Sequence, residues 1–138
     1  KAEAHTFDFN LQHRGTVSFP NIEYRVTDAT ETQEDGTFWV MNYFYPGDDH
    51  LAADDDPLIS QYGIGETHKQ FDGVERIVEM KIEEGAIRLV NIAPLYLRLN
   101  SDGVSRNWEG IVRLDEIGFL LITDSFPRTI FGFVQDLR

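Results

Sequence analysis

The sequence predicts an all-β domain, and three observations support this fold class. Apolar and polar residues alternate with a period of two in many short segments, whereas helical periodicity is nearly absent. Turn-forming sequences rich in Gly, Asn and Asp separate these segments. The 138 residues include ten Phe, five Tyr and two Trp, which supply enough apolar material for a packed core. We therefore expect one domain of roughly eight or nine strands, with well under a tenth of the residues in helices.

Each predicted strand is bounded by turn residues. The strands are expected at residues 6–11, 22–27, 37–45, 74–82, 86–92, 95–99, 110–114, 118–123 and 129–134. The run 37–45 is apolar on both faces, which predicts a central strand covered on both sides. In the run 74–82, we expect Val78 and Met80 to face the core and Glu75 to face solvent. The turn Glu83-Glu84-Gly85 predicts a hairpin with the following strand.

Residues 46–72 do not follow this alternation of strands and turns and are expected to form a long acidic loop. The segment is rich in Gly and Asp and includes three consecutive aspartates, 54–56. It lacks the alternating ligands and central Gly of an EF-hand, so a solvated loop is the first interpretation and a calcium-binding or lid role is the alternative. With few apolar anchors, it is predicted to be the most mobile part of the chain.

Charge and composition exclude several classes of function. Twelve Lys+Arg against 24 Asp+Glu give a net charge of −12, which argues against a nucleic-acid partner. No apolar run reaches the length of a membrane-spanning helix, so membrane insertion is not expected. The absence of cysteine excludes disulfides, thiolate zinc sites and thiol catalysis, and it leaves the compartment open, with a periplasmic or secreted location favoured. The four histidines show no metal or catalytic spacing and are expected in loops or at the surface, so whether the chain is an enzyme stays open.

An internal repeat relates two parts of the chain at an offset of 82 positions. Residues 36–44 align with residues 118–126. Each stretch begins with Gly, continues as a hydrophobic strand, and carries Asn42 or Asp124 six residues after the Gly, with Phe44 or Phe126 two further on. Such self-similarity is typical of repeated β-meanders.

The segment Asn107-Trp108-Glu109-Gly110-Ile111, followed by residues 118–124, resembles the inner-strand motif of six-bladed β-propellers. The likeness is to the esterase-like phytase and the calcium-dependent lactonases and phosphotriesterases, and it covers about residues 22–45 and 73–138. The resemblance implies β-propeller blades, a calcium ion on the propeller axis, and hydrolysis of an ester or phosphoester with the ion as Lewis acid.

The resemblance also implies which residues would form the site. Glu109 matches the calcium-binding Glu of the motif and is expected to be a buried carboxylate; Asn107 lies beside it in the sequence, and Asp28 is the weaker counterpart in the other repeat. Asp124 and Asn42 are further candidates for the channel. The structural alternatives are a Glu109 carboxylate that accepts hydrogen bonds inside the channel and an Asp124 that caps a turn.

The length of the chain limits how many propeller blades it can form, and so whether it needs a partner chain. A blade needs roughly 40–50 residues, so this chain holds about two or three blades, whereas propellers close with four to eight. The expected state is a propeller fragment completed by a second chain, or a homo-oligomer. The alternative is a compact β-sandwich or barrel, including a lipocalin-like barrel with a small apolar ligand. The expected function is accordingly a propeller-type hydrolase or a non-catalytic interaction module, and Trp39 and Trp108 are expected in the core in either case.

Overall fold

The computed structural model describes residues 2–51, 53–125 and 128–136. It is all-β, with 44% of residues in strands and 9% in helices, which confirms the predicted fold class. The strands are β1 (Glu3–Phe7), β2 (His13–Ser18), β3 (Arg25–Ala29), β4 (Thr37–Phe44), β5 (Val74–Glu83), β6 (Ala86–Leu89), β7 (Leu95–Tyr96), β8 (Trp108–Leu114), β9 (Gly118–Thr123) and β10 (Phe131–Gln135). One α-helix, α1 (Pro57–Tyr62), and two 3-10 turns, Asp49–Leu51 and Thr67–Lys69, interrupt them. No helix in these ranges is long and apolar enough to cross a membrane.

The strands form three antiparallel sheets, which are arranged like a sandwich and do not close into a barrel within the described ranges. Strands β1 and β2 make a separate hairpin. The first sheet has the order β3-β4-β5-β6, and β7 also pairs with β5. The second sheet has the order β10-β9-β8. Strand β2 was not predicted because its sequence, His-Arg-Gly-Thr-Val-Ser, lacks apolar alternation, and its pairing with β1 determines its conformation.

Strand β4 is buried along its whole length, as the sequence predicts for a central strand. On one face, Trp39 and Met41 pack against the second sheet together with Trp108 and Phe119. The rings of Trp39 and Phe119 meet edge to face with centroids 5.6 Å apart, a favourable arrangement for an aromatic pair. The expectation that Trp39 and Trp108 belong to the core is confirmed.

The opposite face of the first sheet is covered by α1 and by Ile22. There Val40 and Met80 pack against Leu58 of α1. The helix begins after Asp56 with a proline in its first turn and ends at Gly63, whose φ of 85° is in the region that favours glycine. Residues 46–72 were expected to form a solvated loop with few apolar anchors, and the structure corrects this at residues 57–62, which form a helix and bury Leu58. The helix forms because an Asp-Pro sequence caps its start and an apolar side chain covers the sheet.

The repeat found in the sequence corresponds to equivalent strands of two meanders. Residues 36–44 contain β4 and residues 118–126 contain β9, and each strand is the second of its sheet. Strands β3 and β8 precede them and β5 and β10 follow them, with antiparallel pairing throughout. The aromatic residue at the end of the second copy, Phe126, lies outside the described residues.

Candidate functional site

A fully buried arginine on β5 organises the face of the first sheet that α1 covers. Arg76 donates from Nε to Asn42 Oδ1 at 2.6 Å, from Nη1 to Asp56 Oδ2 at 2.7 Å and from Nη2 to the carbonyl of Ile22 at 2.8 Å. Its guanidinium also lies 5.5 Å from the centre of the Tyr24 ring. A charge so far from water is tolerated only when its donors are paired, and here all three nitrogen atoms have acceptors.

The partners of Arg76 are themselves held in place. Asn42, one of the channel candidates from the sequence, is fully buried and donates from Nδ2 to the carbonyls of Glu23 and Arg25, both at 2.9 Å. Asp56 accepts the backbone N–H of Leu58 at 2.9 Å as the N-cap of α1. Asn42 therefore has a structural role in this ion-pair cluster.

The other face of β5 carries an opposite buried charge one residue earlier. Glu75 accepts Arg106 Nη2 at 2.6 Å and Trp108 Nε1 at 2.9 Å, both at Oε2, and its Oε1 accepts the backbone N–H of Arg106. The expectation that Glu75 faces solvent is wrong. Successive side chains of a strand point to opposite faces, and β5 is covered on both, so the two neighbouring charges find separate partners.

A buried histidine lies next to Glu75 in the 3-10 turn that follows α1. His68 Nε2 accepts the backbone N–H of Glu75 at 3.2 Å, so Nε2 carries the lone pair and Nδ1 carries the proton of the neutral ring. Burial, together with the smaller effect of the positive charges of Arg76 and Arg106, lowers the pKa of His68 to about 4. The expectation of surface or loop histidines is wrong for His68, whose side chain is enclosed beneath Tyr96.

Two grooves border residues 104–107, the segment that Glu75 and Arg106 anchor to the first sheet. One groove, of about 300 Å3, is bounded by Arg25, Tyr43, Tyr45 and Asp48. The other, of about 370 Å3, is bounded by Asn100, Asp102, Thr123 and Arg128. Val104, Ser105 and Asn107 line both grooves. Asn107, singled out by the sequence motif, therefore lies between these two grooves. We call this region the loop grooves.

Burial and nearby charges act on Tyr43 in the first loop groove. Burial raises the pKa of Tyr43, the negative charges of Asp48, Glu109 and Glu75 raise it further, and Arg25 opposes them. Tyr43 therefore keeps its proton at neutral pH and can both donate and accept a hydrogen bond. Arg25 and Asp48 face each other across the rim at 2.9 Å.

In the structure, Asp28 lies next to the predicted motif at residues 107–111. Asp28 Oδ2 accepts the backbone N–H of Ile111 at 2.8 Å, and the neighbouring Thr27 donates its hydroxyl to the carbonyl of Trp108 at 2.7 Å. These bonds join β3 of the first sheet to β8 of the second. Asp28 thus lies beside the Glu109–Ile111 backbone, where it ties the two sheets together.

Asp124 also lies close to the motif, through its backbone. Its N–H donates to the carbonyl of Asn107 at 3.0 Å, and its carboxylate accepts the N–H of Ser125. The side chain itself is exposed, and the turn cap stays a prediction because residues 126 and 127 lie outside the described residues.

Glu109 is exposed, which corrects the expectation of a buried channel carboxylate. The register of β8 against β9 shifts between Trp108 and Gly110, so Glu109 lies in a β-bulge. Trp108 points inward and fills the space between the sheets, and Glu109 is turned toward solvent.

The predicted calcium donors supply fewer oxygen ligands than the ion prefers. Calcium prefers six to eight oxygen ligands, and one oxygen of Asp28 already accepts a backbone hydrogen bond. Within residues 2–51, 53–125 and 128–136, no group of three or more His, Asp or Glu side chains is placed to hold a metal ion. The set Glu109, Asn107 and Asp28 does not by itself fit calcium, and the ion stays a prediction from the resemblance.

Comparison with known proteins identifies no matching family, no similar curated protein and no similar solved structure. The propeller type therefore rests on the sequence motif alone. Sequence reasoning missed the buried charges of Glu75 and Arg76, because their partners are distant in the chain, and it also missed the buried neutral ring of His68. The Asp56-Pro57 pair was the one local signal, since Asp before Pro is typical of a helix start.

Proposed function

We propose that this chain is a non-catalytic interaction module that packs on another β-sheet through the outer face of its second sheet. The observation that carries the proposal is the apolar character of that face. The register places Phe131, Ile122 and Gly110 in one row across the sheet, and Phe133, Leu120 and Val112 in the next. The exposed fractions of the most accessible side chains are 67% for Phe131, 56% for Val112, 52% for Phe133 and 41% for Ile122.

This face differs from an ordinary solvent-facing sheet surface. An antiparallel sheet with one face in water normally alternates between apolar residues inside and polar residues outside. In the second sheet, Phe119 and Leu121 fill the inner face, yet the two outer rows contain no charged or polar side chain. Contiguous apolar surface of this kind marks a protein contact. Another β-sheet fits it best, because two sheets pack face to face through interdigitated apolar side chains.

The proposal is tested on the purified chain by binding of a hydrophobic fluorescent dye, which detects an apolar face that its partner would otherwise cover. We expect dye binding, and it should fall in the double variant Phe131→Ser/Phe133→Ser. The control is Phe9→Ser, because Phe9 is fully exposed outside the face, in the β1–β2 loop. A chain that binds no dye, or whose dye binding does not respond to the double variant, would refute the proposal.

A calcium-dependent hydrolase acting on an ester or phosphoester is the second candidate. The observation that favours it is the contact of Asp28 with Ile111, which places a carboxylate next to the motif of Asn107 and Glu109. If an ion binds there, calcium should raise the melting temperature of the wild-type chain and should raise that of Glu109→Gln less, since a bound ligand stabilises only the folded state. Equal melting temperatures with and without calcium in both proteins would exclude the site.

A further inference from the structure

We infer that the free edge of β10 accepts an extended strand from the partner chain, which completes the second sheet. The inference rests on the proposed function, because it names how the same partner engages this sheet. It starts from a difference between the two meanders. In the first sheet β6 pairs with β5 and covers its edge, whereas the equivalent strand β10 pairs only with β9 in the part of the chain that the structure describes.

The hydrogen bonds of β10 show which backbone groups point to the free edge. Thr123 N–H donates to the carbonyl of Ile130, and Asp136 N–H donates to the carbonyl of Ile117. Residues 130 and 136 therefore both direct backbone groups toward the β9 side. Orientation alternates along an antiparallel strand, so residues 132 and 134 also face β9. Phe131, Phe133 and Gln135 then direct their N–H and C=O groups away from it. An edge with such groups is a template for pairing with another strand.

A groove beside this edge gives the incoming strand an apolar floor. The groove has a volume of about 350 Å3 and separates β10 from the segment 95–98 that includes β7. Leu97, Trp108, Ile130 and Val134 line it. An added strand would place alternate side chains into this space, so apolar residues are expected at every second position.

Charge further defines the partner. Arg98 lies at the rim of the groove with a largely exposed side chain, and its ion pair with Glu66 is long, at 4.0 Å. A carboxylate on the outer face of the incoming strand would gain a partner there. A second copy of this chain is disfavoured, since two chains of net charge −12 repel each other. The occupant we infer is thus an extended segment of a different chain, with alternating apolar residues and an acidic residue near Arg98.

The experiment adds a fourth strand to the second sheet by attaching it to the same chain. The full chain is extended at its C-terminus by a flexible Gly-Ser linker and the sequence Ala-Ile-Glu-Leu-Val, which is that of residues 86–90 with Glu in place of Arg88, so that the strand carries the inferred acidic residue. Amide hydrogen exchange is measured by NMR at residues 131–135. In the unextended chain, amides 131, 133 and 135 should exchange fast and amides 132 and 134 slowly. The extension should slow the three fast amides by about tenfold or more, because each gains an acceptor.

The matched control is the same extension with prolines in place of Ile and Leu, which cannot donate to a ladder. Equal exchange of amides 131, 133 and 135 in both extended proteins would overturn the inference. It would also be overturned if these amides were protected in the unextended monomer, or protected by dimerisation at high concentration, since the occupant would then be this chain itself. Failure of the proposed function would instead appear as an unextended wild-type chain that binds no dye, because dye binding depends on the outer face and not on the edge.

Discussion

The two main sheets share a meander topology but differ in how completely they are covered. The first sheet has four strands in its main order and is packed on both faces, by the second sheet on one side and by α1 and Ile22 on the other. In the described part of the chain, the second sheet has three strands and is packed only on its inner face. The covered sheet carries two buried charges, Glu75 and Arg76, and the half-covered sheet presents phenylalanines to solvent.

The difference in coverage explains why buried charges occur in the first sheet and exposed apolar rows in the second. A buried charge destabilises the folded state unless surrounding elements supply its hydrogen-bond partners, and the first sheet has such elements on both sides. Exposed apolar rows are retained where another surface is expected to cover them. The first sheet is thus a self-sufficient core, and the second sheet carries the apolar face that we propose as the contact with a partner.

The largest expected effect comes from breaking the ion pair in the first sheet. Arg76→Leu leaves the Asp56 carboxylate buried without its charge partner and should lower the free energy of unfolding by about 3–5 kcal/mol. Urea unfolding measures this loss. The control is Arg88→Leu, an exposed arginine with ion pairs of 3.8–3.9 Å, which should change stability by about 0.5 kcal/mol or less. Similar losses in the two variants would contradict the buried role of Arg76.

The two faces of the second sheet should respond differently to truncation of a phenylalanine. Phe119→Ala removes a fully buried ring between the sheets and should cost about 3–5 kcal/mol. Phe133→Ala, on the outer face, should cost about 1 kcal/mol or less in the isolated chain. Thermal or urea unfolding of both variants checks the comparison. A loss at position 133 as large as that at position 119 would mean that the outer face is already covered.

Acidification should weaken the first sheet through His68. Its pKa in the folded state, about 4, lies below the ordinary value of 6.5, so the folded state binds the proton less readily than the unfolded state. The stability linked to neutral His68 is complete above pH 6.5 and is lost as the pH falls from 6.5 to about 4, by about 3 kcal/mol in total. The reference is His68→Gln, whose amide oxygen can still accept the N–H of Glu75 but does not titrate. Parallel stability curves for the two proteins between pH 7 and pH 4.5 would contradict this assignment.

The smallest effect is expected at the junction of the two sheets. Asp28→Ala removes the acceptor of the Ile111 N–H and should lower the free energy of unfolding by about 1–3 kcal/mol. Glu31→Ala, an exposed carboxylate close to it in the chain, is the control and should be nearly neutral. No difference between these two variants would show that the bond from Asp28 contributes nothing to the packing of the sheets.

Local pattern was sufficient for much of the architecture. The apolar run 37–45 predicted the central strand, the turn at residues 83–85 predicted the hairpin of β5 and β6, and the repeat marked β4 and β9 as equivalent strands. These features follow from period-two alternation and turn chemistry, which act over a few residues. They explain why the fold class could be predicted and why Trp39 and Trp108 were placed correctly in the core.

By itself, the sequence determined the all-β class, the central strand and the position of the motif around Asn107. Only the tertiary structure decided which polar groups are buried, because the partners of Glu75 and Arg76 come from residues 106 and 56, far away in the chain. It also decided that Glu109 faces solvent, since Trp108 beside it points inward and fills the space between the sheets. A charge can be buried when hydrogen-bonding groups from distant parts of the chain surround it in the fold. A local sequence pattern does not predict which distant groups will do so.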